Sequence, residues 1–361
     1  MTDTKKNKNS FLINMKKDKF ALIGTIVLLV LYLSITFADF LSPYTKEFSD
    51  RHLSYAPPSK VFVIDTEGKW SRPYTYTYKR TFNPSTFNMD FKLDRSQKHY
   101  LKFFTHGFKY KFLGLIPTDI HFVGVDFPGK LMLLGGDING RDNYSRLLYG
   151  GRISLTIGFL ALMISFPIGL LYGGIAGYFG GKIDNVMMRF AEAIMCIPSF
   201  YLLIILAAIL PANMTSTQRF TLITVILAFI GWAGFSRVVR GMVLSLKNQE
   251  FVESAKSIGA GDLRVICRHI LPQTASYVIV AMTLSVPGYI LAESGLSFLG
   301  LGIQQPDASW GNMLKEAQEY INILYRPWLL TPGFLIFLAV LSFNLVGDAV
   351  RDFLDPKSVV R

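Results

Sequence analysis

Residues 153–181 read ISLTIGFLALMISFPIGLLYGGIAGYFGG, twenty-nine positions without a charged side chain. As a helix rising 1.5 Å per residue, a run of about 20 such residues crosses ~30 Å of hydrocarbon. The stretch is long enough to span with residues to spare, and its glycine-rich end (Gly173, Gly174, Gly177, Gly180, Gly181) reads as a turn leaving the membrane. Five more uncharged runs surround it: 20–38, 193–218, 220–236, 270–292 and 327–347. One such run could be the core helix of a soluble protein. Six predict an all-α, polytopic membrane protein with six transmembrane helices.

Composition agrees. Of 361 residues, 51% are hydrophobic and 17% charged, against about 25% charged in soluble domains. A cytosolic enzyme, a disordered chain and a collagen-like chain are all excluded. The net charge of +12 comes with no aromatic–basic RNA motif and no zinc spacing, so nucleic acid is not expected as a partner. Cys196 and Cys267 cannot build a disulfide framework and read as reduced packing thiols. His52, His99, His106, His121 and His269 share no metal-ligand spacing. There is no G-x-x-x-x-G-K-[ST], H-E-x-x-H or G-x-S-x-G, so no P-loop nucleotide site and no catalytic set is expected in this chain.

The runs divide the chain. Residues 1–19 form a polar tail with six lysines, and 20–40 the first transmembrane helix. A signal peptide is the alternative there, but the run exceeds an ordinary h-region and no small-x-small site precedes Asp39. Residues 41–150 form a long extracytoplasmic segment with some β structure. Its β-like runs, Lys60–Asp65 and Tyr74–Tyr78, are broken by Pro57, Pro58, Gly68 and Pro73. Residues 151–349 form a five-helix core, and 350–361 a second tail. Short segments 1–19, 178–189, 237–272 and 349–361 carry 6, 2, 6 and 3 Lys or Arg. The opposite short loops carry only Arg219, Lys315 and Arg326. Basic residues favour the cytoplasmic side, which predicts both termini in the cytoplasm and 41–152 outside. Arg141, Arg146 and Arg152 resist that placement mildly.

Between the fourth and fifth runs lies EFVESAKSIGAGDLRVICRHILP, residues 250–272. It reads as two short helices. Val252, Ala255 and Ile258 give the first an apolar edge. Gly259 suits a left-handed C′ position, and Asp262 can cap the second helix. Leu263, Ile266 and Ile270 repeat at helical spacing, and Pro272 ends the run. An ordinary connecting loop is the bland alternative.

This stretch resembles the EAA loop (E-A-A-x3-G-x9-I-x-L-P) of ABC importer permeases through Glu253, Ala255, Gly259, Leu271 and Pro272. Ser254 replaces the second alanine and His269 the isoleucine. Arg268–Pro272 is similar to the peptide-importer branch. Two further stretches resemble the oligopeptide/dipeptide/nickel (Opp/Dpp C-subunit) permeases: Gly140-Arg141-Asp142 with Ser145-Arg146, Gly150, Arg152 and Ser154-Leu155; and Glu293–Gly302 followed by Trp310-Gly311. The resemblance covers 1–40 and 131–358; residues 41–130 exceed the usual length of this loop.

The resemblance implies a MetI-like permease core in the cytoplasmic (inner) membrane, forming half of a pathway with a sister permease. It implies two ATPase subunits, carrying ATP and Mg, that dock on the 250–272 coupling loop, and an extracytoplasmic substrate-binding protein. No cofactor is expected in this chain, and lipid surrounds it. Peptides are the expected solute, with nickel the alternative within the family. A secondary transporter would need paired intramembrane charges and inverted repeats. A membrane-anchored enzyme would need a catalytic cluster in 41–152.

Other residues carry weaker expectations. Glu293, a carboxylate at the end of an uncharged run, is a pathway or gate candidate, with an interfacial cap or pair as the alternative. Arg141, Asp142, Arg146 and Arg152 are expected to form a charged network fixing the outer segment onto the second span. Arg189 and Glu192 can pair on one helix face. Pro167, Pro198, Pro287 and Pro332 are expected to kink spans.

Overall fold

The computed structural model describes residues 18–65, 68–84, 88–211 and 213–354. Most of the two expected tails lies outside the described residues. The chain is mainly helical. In order it forms α1 (Lys19–Thr36), α2 (Ala38–Leu41), strands β1 (Val61–Ile64), β2 (Trp70–Asn83), β3 (Asn88–Phe112) and β4 (Ile116–Val125), and α3 (Asn143–Phe179). Then come α4 (Gly181–Met195), α5 (Ser199–Ala208), α6 (Ser216–Leu246), α7 (Glu250–Ser257), α8 (Asp262–Arg264), α9 (Ala275–Phe298), α10 (Trp310–Leu314), α11 (Tyr320–Tyr325) and α12 (Thr331–Leu354).

Among the described residues, five helices are long and apolar enough to cross a membrane. A sixth crossing exists only if α4 and α5, bent by 77° at their junction, count as one. The expected third and fourth runs are therefore redrawn. Thr215 and Gln218 form a capping box: the Thr215 hydroxyl accepts from the Gln218 N–H at 3.3 Å, and the Gln218 amide oxygen accepts from the Thr215 N–H at 3.0 Å. That reciprocal pair starts α6 at Ser216, so residues 216–218 belong to the next helix. Pro198 does more than kink a span, because it stands at the break between α4 and α5. Pro167 and Pro287 do lie inside helices. Pro332 does not kink one, because it occupies the first turn of α12, where its missing N–H leaves no bond unmade.

The molecule divides into two compact units. Of the described residues, the first holds those within 18–29, 155–296 and 337–354. Its core joins α3 to α6 through Phe166 on Phe235, with ring centroids 4.1 Å apart, and Tyr172 on Trp232 at 4.6 Å. Here the glycine-rich stretch is corrected. Gly173 and Gly177 are helical, and a Cβ on either would come within 2.3 Å of the Ser236 carbonyl or 2.8 Å of the Arg240 carbonyl. They form a small-residue stripe that lets two backbones approach, the device of membrane helix packing. Only Gly180 (φ 66°) and Gly181 (φ 54°) make the turn.

The second unit holds residues 30–154 and 297–336. Its four strands form an antiparallel meander in the order β1-β2-β3-β4. The two short runs read in the sequence fall on β1 and within β2, but β3 and β4 were not foreseen. Both strands carry basic and aromatic residues without clean alternation. The sheet leaves and rejoins the rest of the unit at one place: the Ser59 N–H bonds the Met132 carbonyl at 2.7 Å and the Met132 N–H bonds the Ser59 hydroxyl at 2.9 Å. Beneath it, Tyr78 packs with Leu53, Ala56 and Met132 in one buried cluster. Trp310 is buried, its indole N–H donating to the Leu147 carbonyl at 3.0 Å and its backbone N–H to the Ser154 hydroxyl at 3.1 Å.

Candidate functional site: a helical hairpin, a buried carboxylate and a charged network

Residues 250–274 form the expected hairpin, in the first unit. Helix α7 ends in a Schellman motif. The Gly259 N–H bonds the Lys256 carbonyl at 2.9 Å, and the Ala260 N–H bonds the Ala255 carbonyl at 3.1 Å. Gly259 sits at φ 81°, the left-handed C′ position that glycine adopts without strain. Val252 and Ala255 are buried as the periodicity requires. Ile258, the third member of the predicted edge, is not: it is 84% exposed. The Schellman turn rotates it off the helix face at the C-cap. Glu253 and Ser254 are exposed, the Ser254 hydroxyl donating to the Glu250 carbonyl at 2.8 Å.

The second half departs further from expectation. Asp262 does not cap α8; it is the first helical residue, after Gly261 at the N-cap. Its carboxylate instead accepts from the Tyr178 hydroxyl at 2.6 Å. The Lys256 ammonium lies 4.9 Å from the centre of the same tyrosine ring, within cation–π range. Two residues of α7–α8 thus converge on the last turn of α3. Leu263 is exposed, while Val265, Ile266 and Ile270 are buried. The apolar face begins two residues later than predicted, where the backbone leaves the α-helical form. Residues 265–270 form a π-helix and Leu271–Thr274 a 3-10 turn that leads into α9. Pro272 therefore does not end the helix. A proline ring clashes with the carbonyl four residues back in a regular α-helix; the wider π turn before it clears that clash. Leu271 lies against Gly174, where a Cβ would come within 3.2 Å. The surface around the turn consists of Glu253, Ser254, Ile258, Gly259 and Leu263, all exposed.

Further along α9, Glu293 is fully buried. The Ser294 hydroxyl lies 3.4 Å from its carboxylate. Tyr289, four residues before it and so on the same helix face, shares a 2.7 Å hydrogen bond with Ser165 on α3. Ser165 and Tyr289 carried no signal in the sequence, since single hydroxyls in apolar runs are common.

The expected charged network is only partly assembled, in the second unit. Arg141 donates to Asp137 at 2.5 Å, and its guanidinium lies 3.8 Å from Glu316. Arg146 approaches Asp137 at 3.5 Å and Gln305 at 3.2 Å. Arg141 also donates to Gln305. Asp137, Gln305 and Glu316, absent from the sequence reading, complete the group. Asp142 stands apart as the N-cap of α3, accepting from the Ser145 N–H at 2.8 Å and its hydroxyl at 2.6 Å. Burial pushes its carboxyl up to about 7. Burial and the neighbouring Asp137 carboxylate also push Glu316 up to about 7, against the pull of the Ile138 N–H and Arg141. Arg152 joins neither group. It pairs with Asp39 at 2.7 Å and donates to the Ile35 carbonyl at 2.7 Å, at the end of α1. Arg189 and Glu192 pair as expected, at 3.0 Å on an exposed face.

Among the described residues no three His, Cys, Asp or Glu side chains are grouped so as to hold a metal ion. Cys196 and Cys267 are both exposed and unpaired with each other.

Comparison with known proteins bears on this geometry. Residues 169–360, which contain the hairpin and Glu293, match the family model of the binding-protein-dependent transport system inner membrane component. Residues 10–58 match the N-terminal TM domain of oligopeptide transport permease C. The four-stranded sheet lies outside both matches. The chain is 45% identical over 225 residues to the dipeptide transport system permease protein DppC of Bacillus subtilis, covering 62% of this chain and 68% of that one. It is 44% identical over 224 residues to the oligopeptide transport system permease protein OppC of Haemophilus influenzae (62% and 70%). With the nickel transport system permease protein NikC of Escherichia coli K12 it shares 37% over 243 residues (65% and 84%).

Proposed function

The chain belongs to the family of binding-protein-dependent transport system inner membrane components, and on that premise we propose that it is the permease subunit of an ATP-driven importer, forming half of a membrane pathway for peptides. The observation that carries the coupling part of this reading is the Gly259 Schellman turn. It presents Glu253, Ser254, Ile258 and Leu263 as one exposed knob, and Asp262 and Lys256 tie that knob to the end of α3. A knob held by two residues against one helix end moves with that helix as a rigid body, which is what transmission of ATPase closure to the spans requires.

The partners follow from this reading: a sister permease, two ATPase subunits binding ATP and Mg, and an extracytoplasmic binding protein, in the cytoplasmic membrane. The bent α4–α5 pair serves as the sixth crossing, which puts both termini in the cytoplasm. The Lys/Arg distribution supports that orientation. Ser165, Tyr289 and Glu293 supply polar groups to the pathway half of the subunit.

Co-purification tests the reading: an ATPase should be retained by the full chain from detergent extracts. Retention of none would overturn it. The relatives' names favour peptides, with nickel as the second reading because of NikC. Identification of the ligand carried by the co-purified binding protein separates the two.

A further inference from the structure

The β3–β4 hairpin ends in a tip whose chemistry is wrong for water. In the three-residue loop between β3 and β4 the Leu115 N–H bonds the Phe112 carbonyl at 3.0 Å, closing a turn whose central residues are Leu113 at φ 50° and Gly114 at φ 76°. Two positive φ values define the type I′ turn, whose first central position favours Asn, Asp or Gly. Here it is leucine, held in a conformation that costs a bulky residue strain. Leu113 is 54% exposed, Leu115 81% and Ile116 63%. Lys109 and Lys111 flank them, and no acidic residue lies between 109 and 118.

The tip's position explains the chemistry. Helix α1 has 18 residues, or about 27 Å at 1.5 Å each. All of it is needed to cross ~30 Å of hydrocarbon, so its C-terminal end lies at a membrane surface. Phe37, one residue past that end, stacks on Phe112 with ring centroids 5.6 Å apart. Phe40, further along the chain, meets Phe104 at 6.1 Å, Phe122 at 5.9 Å and Phe112 itself at 6.4 Å. Phe112 is therefore held against both Phe37 and Phe40, at the end of α1. The tip begins one residue beyond Phe112, beside that end of α1. His121 fixes the hairpin in place by bonding the Asp39 carbonyl through Nδ1 at 2.9 Å.

We propose that the tip Leu113–Ile116 is seated in the boundary between headgroups and hydrocarbon of the leaflet where α1 ends, with Lys109 and Lys111 on anionic headgroups. Apolar side chains below, aromatic rings at the boundary and lysines above is the order that a lipid interface selects. The sheet then meets the membrane through its tip as well as through the chain that joins it to α1 and α3. The inference rests on α1 crossing the bilayer and is independent of the transported solute.

The test is nitroxide labelling of Leu115→Cys in the full chain, with Ser96→Cys on β3 as the water-exposed control. Both are made in a Cys196→Ser, Cys267→Ser background and reconstituted in vesicles of phosphatidylethanolamine and phosphatidylglycerol. Expected at position 115 is severalfold greater relaxation by oxygen than by a water-soluble nickel chelate, with the reverse at 96. Chelate access at 115 equal to that at 96 overturns the proposal. Shielding of 115 from both agents also overturns it, because it marks a protein rather than lipid as the occupant. Uptake is not measured, so failure here leaves the transport reading standing.

Discussion

The Tyr178 hydroxyl donates to the Asp262 carboxylate across 2.6 Å, tying the last turn of α3 to the first residue of α8. A hydrogen bond to a charged group contributes about 1.5–3 kcal/mol. Tyr178→Phe keeps the ring beside Lys256 and removes only that bond. The expected result is roughly tenfold slower peptide uptake with membrane levels unchanged; wild-type uptake would show that the tie carries no movement.

Gly259 has open space where a Cβ would stand, so substitution there is opposed by the backbone alone. A non-glycine residue in the left-handed region costs roughly 1–2 kcal/mol, and proline cannot enter it. Damage should rank Gly259→Pro, then Gly259→Val, then Gly259→Ala, read as ATPase pull-down and uptake at matched membrane levels. Wild-type uptake by the proline variant refutes the coupling role of the turn.

Asp142 gives the pH prediction. Its folded carboxyl is pushed up to about 7 from an ordinary value of 3.8, so the folded chain holds a proton that the unfolded chain has released. The associated stability is full below about pH 4 and is lost as pH rises through about 7. Asp142→Asn retains an N-cap and removes the titration. The unfolding temperature of the wild type in detergent should drop by several degrees more between pH 5 and pH 8 than that of the variant. Identical slopes would refute the assignment.

Gly231 faces Tyr289, and a Cβ there would stand 2.0 Å from the phenolic oxygen. Gly231→Ala should displace the ring, break its bond to Ser165 and lower thermal stability by about 1–3 kcal/mol. Tyr289→Phe in the same chain should recover part of the loss. Additive losses in the double variant would exclude the contact.

Glu293 is buried in α9, and removing its charge tests the pathway role directly. Glu293→Gln keeps the volume and should lower uptake while assembly with the ATPase persists. Unchanged uptake together with unchanged unfolding temperature would mean that the carboxylate serves neither pathway nor packing.

How much of this was legible depended on what each residue depends on. Gly259 was readable because a helix stop between two apolar stretches leaves few roles for glycine. Ile258 and Leu263 were misread because strict 3.6-residue periodicity was carried through a Schellman turn and a π-helix. Each shifts the phase of the face, and no single residue announces either. Thr215 and Gln218 did announce the start of α6, in the T-x-x-Q spacing of a capping box, but hydropathy ran across them. Gly173 and Gly177 looked like a turn because close backbone approach to Ser236 and Arg240 exists only in three dimensions. Arg141 and Arg146 were visible as charges, yet Gln305 and Glu316 come from a distant segment that composition cannot pair, and Asp137, only four residues before Arg141, was passed over.

The double clasp of Ser59 and Met132 has a consequence for how such a chain can acquire a sheet. Strands β1 to β4 depart and return at neighbouring residues, so the segment behaves as a parenthesis in the covalent path. Lengthening a loop whose ends already meet adds closure entropy only as the logarithm of its length, and it asks no flanking helix to shift. A four-stranded body can therefore be carried by a transporter half whose membrane architecture was fixed without it. Changes within that body are free to accumulate while the helices keep their own register.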